Sequence, residues 1–268
     1  MAKNKKRKKK LDARQTVMLL CIIIAIGSFG YLAFYNYQAS HSSEQVDNLS
    51  KIKEKNNEDF FLHKTAMVYL DNIETPDILE EYSDVFALNQ KLIGWIRIDG
   101  TKVDYPVLQT VNNEYYLDHN FDQEEDKNGS IFLDKDCSIL PRSQNLLIYG
   151  HNMKSGKMFG TLKNYKDESF YKEHPQIQFD TIYEKGMYEI MYVFSEVVHE
   201  ETEVTFKYYQ FINANSADEY NSYMNDMAEM SLYDTGVTSV YGDALLTLST
   251  CDYTQGAERF VIVAKKVK

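Results

Sequence analysis

Three cysteines in 268 residues are too few for a small scaffold built on disulfides. Four prolines and 12 glycines leave little room for long low-complexity linkers. The chain contains no H-E-x-x-H, C-x-x-C, G-x-G-x-x-G, P-loop or G-x-S-x-G, so zinc, dinucleotide, nucleotide-triphosphate and serine-elbow chemistries have no support. Its acids are many but scattered, and DQEEDKNG (122–129) lacks the ligand spacing of an EF-hand loop. No metal and no cofactor is expected. A hydrophobic content of 44% with 26% charged residues is ordinary globular composition. It excludes bulk disorder, collagen and a multi-span membrane protein. The length allows one domain of about 200 residues with appendages, or two small ones.

Charge is unevenly spread. Residues 1–14 hold eight Lys or Arg and one acid, a net +7, which leaves −18 on the rest of a chain whose total is −11. A body this acidic repels phosphate backbones, so no nucleic-acid partner is expected. Between Gln15 and Ser43 there is no Asp, Glu, Lys or Arg. Thr16–Tyr35 is apolar for about 20 residues, the length that crosses a bilayer core, and Tyr31, Tyr35 and Tyr37 stand where an aromatic belt would lie. The preceding basic flank puts the N-terminus in the cytoplasm and all that follows outside. A cleavable signal peptide fits less well: the apolar run is too long, and bulky Tyr37 would occupy position −3 of a cut after Ala39. The expected division is therefore a basic cytoplasmic tail (1–15), a membrane anchor (16–37), an extracellular stalk and helix (38–75) and a main extracellular domain (76–268). Cys21, inside the anchor, reads as a small apolar filler.

Thr75-Pro76 predicts a helix start with proline in the first turn, running to about Leu92. From GWIRIDG, with Trp95 as a core residue, short runs rich in Val, Ile, Tyr and Phe dominate: 103–108, 129–134, 145–150, 176–183, 187–198, 243–250 and 259–267. Asn128-Gly129 suits a tight turn. Ser216 to Glu219 reads as a capping box, followed by an apolar stripe of Tyr220, Tyr223, Met224, Met227 and Met230, expected to pack on the core. The fold class expected is mainly β, a mostly antiparallel barrel or sandwich with helical additions.

Outside the anchor only Cys137 and Cys251 remain. If ALLTLSTC is a strand, Leu245, Thr247, Ser249 and Cys251 share one face, which turns small and polar toward the cysteine as a cleft floor would. The next strand begins at Arg259, and an antiparallel neighbour would bring Arg259 to the sheet edge where Cys251 ends. A nucleophilic thiol needs a partner that ionises it. Of His41, His63, His119, His151, His174 and His199, His151 stands out because it directly follows NLLIYG, where a strand opens into a loop. The competing reading has an inert buried Cys251, a capping His151 and a surface-paired Arg259.

TLSTC (247–251), YGHNM (149–153) and RFVIV (259–263) resemble the signature segments of sortases, the membrane-anchored cysteine transpeptidases of Gram-positive bacteria. The likeness covers residues 76–268. NNEYYLDHNF (112–121), GSIFLD (129–134) and the long segment between Val193 and Leu245 are similar to class B. The lid motif of class C is not found, with Asp59-Phe60 and Asp84-Val85-Phe86 the stretches to check. The resemblance implies a closed β-barrel with N-terminal helices and a helix inserted before the cysteine strand. It implies Cys251 as the nucleophile, His151 as general acid and then base, and Arg259 holding substrate and stabilising the oxyanion. It maps the class B substrate positions to Asn113, Leu117, Tyr149, Ser249 and Asp252. Nothing carries over from EVVHEETEVTFKYYQF (196–211), which does not match the class, and Cys137 reads as a spectator.

The implied partners are surface-protein sorting signals of an N-P-x-T-N/G kind, cut after Thr, a peptidoglycan precursor or wall cross-bridge amine, and the membrane bilayer. Three rivals stand beside this: a hydrolytic surface cysteine peptidase, in which Cys usually precedes His; an anchored adhesin or scaffold; and a pilus-assembling sortase.

Overall fold

The computed structural model describes residues 13–58, 69–70, 73–74, 76–197, 206–251 and 258–268. The chain divides between Glu44 and Gln45 into two compact units. Helix α1 (Ala13–Glu58) contributes to both. In the first unit, Val17–Tyr35 is long and apolar enough to cross a membrane, and its side chains lie exposed. Nineteen residues at a helical rise span about 28 Å.

In the second unit the last turns of α1 are amphipathic. Leu49 is buried against Trp95 and Tyr82, and Val46 and Ile52 pack on the core beside it, a spacing that lines one helix face. Lys53 Nζ stands 4.7 Å from the Trp95 ring centroid and 5.5 Å from that of Tyr82. Burial pushes its ammonium below the ordinary lysine range, against the pull of Asp104, Asp180 and Glu81. A two-stranded pair, β1 (Tyr69–Leu70) and β2 (Ile73–Glu74), follows.

Helix α2 is shorter than expected, Glu80–Leu88 rather than Pro76 to Leu92. Competing hydrogen bonds explain both ends. Leu79 N donates to Ile182 O (2.8 Å), which holds the entry outside the helix. At the exit, the Asn89 side chain accepts from Lys91 N (2.9 Å) and donates to Phe121 O (2.6 Å), the kind of side-chain competition that ends a helix. Val85 is fully buried and Phe86 packs on the core, whereas Asp59-Phe60 lies outside the described residues.

Eight strands then close into a barrel: β3 (Leu92–Arg97), β4 (Asp104–Leu108), β5 (Ile131–Leu133), β6 (Asn145–His151), β7 (Gln176–Thr181), β8 (Met187–Val197), β9 (Leu245–Cys251) and β10 (Glu258–Lys266). Their order is β10-β8-β7-β3-β4-β5-β6-β9, with β9 returning to β10. The expected mainly-β class is thus a closed barrel, antiparallel except at β4–β5 and β6–β9. Trp95 is a core residue, 1% exposed, and its indole N–H donates to Asp104 Oδ1 (2.6 Å).

A short helix α3 (Glu168–Glu173) precedes β7, and α4 (Ala217–Met230) lies between β8 and β9. Ser216 caps α4 by accepting from Glu219 N (3.2 Å). The other half of the box goes one residue upstream, where the Glu219 carboxylate accepts from Asn215 N (2.7 Å). Tyr220, Met224 and Met227 are buried, and Tyr223 and Met230 pack against the same core.

Strand β9 departs from the alternating pattern expected of it. Leu245 to Thr250 are all buried, as befits a strand covered on both faces. Its small polar face is sealed rather than open: Thr247 Oγ1 donates to Asn145 Oδ1 (2.9 Å), and the Ser249 and Tyr208 hydroxyls share a hydrogen bond (2.8 Å).

Candidate active site at one edge of the barrel

Strands β6 and β9 run parallel in unbroken register from Asn145↔Leu245 to His151↔Cys251. Parallel neighbours lie about 4.8 Å apart, so both strands deliver their last residue to the same barrel edge. Strand β10 runs antiparallel to β9, pairing Val261 with Ser249, and therefore starts where β9 ends. Phe260 N donates to Thr250 Oγ1 (2.9 Å) and Arg259 Nη1 to Thr250 O (3.3 Å). The backbone of Cys251 is thus flanked by His151 on one side and by the start of β10, at Arg259, on the other. Residue 252 and those after it to 257 lie outside the described residues, Asp252 among them.

Gly150 allows the approach to His151. A Cβ there would stand 2.4 Å from Ile131 Cδ1 and 2.8 Å from the Phe159 ring. His151 itself is half-buried, and its Nε2 lies 2.6 Å from Leu117 O. A carbonyl only accepts, so Nε2 is the donor of this hydrogen bond.

Leu117 ends a 3-10 turn, Tyr115–Leu117. The turn is built by Asn112, whose Oδ1 accepts from Glu114 N (3.1 Å) and Tyr115 N (2.9 Å). Gly129 then passes close beneath it with φ +58. A Cβ on Gly129 would stand 2.5 Å from Tyr116 O and 2.7 Å from Leu117 O. A side chain there would be strained by the backbone angle and would press on the carbonyl that holds His151.

The other expected positions fall as follows. Asn113 Nδ2 donates to Asp134 Oδ2 (2.8 Å), and Tyr149 OH donates to the same oxygen (2.9 Å). Leu117 is half-buried beside His151, and Ser249 is fully buried against Tyr208. Asp134 and Tyr208 carry no motif in the sequence; both emerge only through contacts between distant segments.

The remaining described histidines and thiols are placed elsewhere. His119 stacks on Tyr115 (4.0 Å) and bonds Tyr115 O and Asp118. His174 caps α3 through its backbone N–H and packs on Phe170. His41 lies within α1, whereas His63 and His199 lie outside the described residues. Cys137 is 5% exposed. Its thiol donates to Asn145 O (3.5 Å) and accepts from Leu147 N (3.4 Å), and burial pushes its pKa up to about 12. A thiol so placed is no nucleophile near neutral pH. Cys21 is exposed on the apolar stretch of α1. Among the described residues, no group of three or more His, Cys, Asp or Glu is placed to hold a metal ion.

Comparison with known proteins gives the family and the fold. The sortase domain family model matches residues 96–267. Sortase B of Listeria monocytogenes is 35% identical over 71% of this chain and 76% of its own length. Sortase B of Staphylococcus aureus is 29% identical over 94% of this chain and 96% of its own. Among solved structures, sortase B of B. anthracis in complex with AAEK1 is similar with a TM-score of 0.69 and 31% identity, over 87% of this chain and 99% of that one.

Proposed function

The chain belongs to the sortase family of cysteine transpeptidases, on its class B branch, and we propose that Cys251, His151 and Arg259 carry its reaction. The supporting observation is the register that ends two parallel strands side by side at His151 and Cys251, with Arg259 at the start of the next strand.

The Cys251 thiolate attacks the Thr carbonyl carbon of a sorting signal of the N-P-x-T-N/G kind. Arg259 offers positive charge to the oxyanion that forms. The tetrahedral adduct collapses by breaking the peptide C–N bond, and protonated His151 gives its Nδ1 proton to the departing amine. This leaves a thioester between Cys251 and Thr. An incoming wall amine attacks that carbonyl, His151 takes the amine's proton, and the C–S bond breaks to return the thiolate. The product is a new amide bond, and no redox partner or cofactor is needed.

Asn113, Leu117, Tyr149, Ser249 and Asp252 are assigned to the wall of the peptide groove. Leu117 and Tyr149 are half-buried next to His151, while Ser249 acts from within the wall, through Tyr208. The apolar part of α1 serves as a single-pass anchor with the basic tail in the cytoplasm and the barrel outside. An antibody tag placed after Lys268 is then reached on intact protoplasts, and one placed before Met1 is not.

The deciding experiment uses the full chain in detergent with quenched NPQTN and LPxTG peptides, with and without a small amine. Cys251→Ala, His151→Ala and Arg259→Ala are each expected to lose at least about 10³-fold in kcat/KM, and the active chain to yield amine-trapped product. Acid product alone at saturating amine would make the protein a hydrolase. Full activity in Cys251→Ala would remove the mechanism.

A further inference from the structure

We propose that Asp134 positions His151 for proton transfer, by tying the turn whose carbonyl holds the imidazole to the strand that carries it. The proposal rests on the reading of His151 as the general acid and base.

Asp134 follows β5 directly and is 4% exposed. Its main chain is fixed on both sides. Its N–H donates to Leu147 O on β6 (2.8 Å), and its carbonyl accepts from Gln109 Nε2 (2.8 Å) and Cys137 N (3.1 Å). The carboxylate therefore has a set position, and it gathers donors from three places. Oδ2 accepts from Asn113 Nδ2 (2.8 Å) and from Tyr149 OH (2.9 Å), and Oδ1 accepts from Asp136 N (2.8 Å). Buried carboxylates are costly unless such donors meet them, and bonds to an ionised acceptor are about twice as strong as neutral ones.

The connections form a closed circuit. From Asp134 one path goes through Tyr149 to His151, two residues further along β6. The other goes through Asn113 to Leu117, four residues on, whose carbonyl meets His151 Nε2 at 2.6 Å. The amide of Asn113 is held at its other end too, because Oδ1 accepts from Lys135 N (2.8 Å). The turn thus cannot shift away from β6 without breaking a bond to Asp134 or its neighbour. The imidazole presents Nδ1 to the reaction only while Leu117 O keeps Nε2, and a displacement of about 1 Å at such a site costs on the order of 10²-fold in rate.

The test is Asp134→Asn in the full chain. Asparagine keeps the shape but loses the charge and one acceptor: its single oxygen serves either Asp136 N or the Asn113–Tyr149 pair, not both, and a neutral oxygen holds that pair by weaker bonds. The expected result is a fall in kcat of about 30-fold with KM within about twofold of the parent. In ¹⁵N-histidine-labelled protein, the His151 Nε2 resonance, identified by its loss in His151→Gln, should shift. Ile190→Val, which trims a core methyl on β8, is the control for lost stability and should change neither readout.

Asp134→Asn with kcat and the His151 resonance both unmoved would overturn the proposal, and so would a rise in KM alone. If Asp134→Asn does not fold, Tyr149→Phe removes a single donor; because Tyr149 also lines the groove its KM is not read, and an unmoved His151 resonance with unchanged kcat is again fatal. Transfer surviving in His151→Ala would remove the functional reading and this proposal with it. An inert His151→Ala beside a normal Asp134→Asn would remove this proposal alone.

Discussion

The parallel pair β6 and β9 has two ends built differently. At the start, the chain is sewn together by bonds to main-chain atoms. Arg142 donates to Gln144 O (3.0 Å) and Leu245 O (2.8 Å), Leu245 N to Gln144 O (2.7 Å), and Asn145 N to Ile212 O (2.9 Å). The Asn145 side chain adds a bond to Phe211 O (2.7 Å), and Gln144 is bonded to both Asn213 and Ala214. At the finish stand His151, Cys251 and Arg259; His151 O still accepts from Met153 N (3.1 Å) and Phe159 N (3.0 Å), but there the bonds also hold reactive-type side chains, the imidazole on Leu117 O and the guanidinium on Thr250 O. One end sets register; the other uses it. A slip of one residue would move every side chain of a strand to the opposite face, so a lock at Asn145 and Leu245 decides what meets six residues later.

Breaking the lock should give the largest effect on stability. Arg142→Ala removes charge-assisted bonds to several carbonyls and is expected to cost about 3 kcal/mol in denaturant unfolding, with activity falling as the register loosens. A chain that loses the stability and keeps full kcat would show that the two ends are independent. Gly129→Ala sharpens the comparison from the other end. The strained angle and the short approach to Leu117 O predict about 1–2 kcal/mol of lost stability. The fall in kcat should be disproportionate, because the added methyl presses on the histidine's acceptor. Equal losses in Gly129→Ala and in a core control would deny the site its dependence on that carbonyl.

Cys137, which lies against the sewn end, predicts the smallest change. Its thiol is raised from an ordinary value near 9 to about 12, so it resists alkylation at pH 8 in the folded chain. The sign follows from linkage: the folded state keeps its proton where the unfolded state loses it, so this contribution to stability is intact below about pH 9 and drains away toward pH 12. Cys137→Ala should flatten that alkaline decline and leave transpeptidation untouched. Rapid native labelling of Cys137 would contradict its burial.

Most of the barrel was readable from β-type runs bounded by turn residues, because strand existence is a local property. The helix at Pro76 was misjudged because its ends are decided by Ile182 and Phe121, residues distant in sequence. The open polar floor expected on β9 was misjudged for the same reason, since Asn145 and Tyr208 cover it from elsewhere in the chain. Antiparallel pairing of β9 with β10 was foreseeable from a short connection, and with it the approach of Arg259 to the end of β9. The parallel pairing of β6 with β9 joins segments 100 residues apart and is reached through the family resemblance, not through any local pattern. Asp134 had no sequence signal, because its partners Asn113 and Tyr149 lie 21 and 15 residues away without periodic spacing.

Closure of the barrel has a consequence for how a peptide is read. Strand β6 already has β5 and β9 as neighbours, and β9 has β6 and β10. An incoming peptide therefore finds no vacant ladder along these strands to join as an extra strand. Generic main-chain pairing, which accepts almost any extended chain, is denied to it. Discrimination of the proposed sorting signal would then come from side chains and loop carbonyls at the edge rather than from a shared ladder.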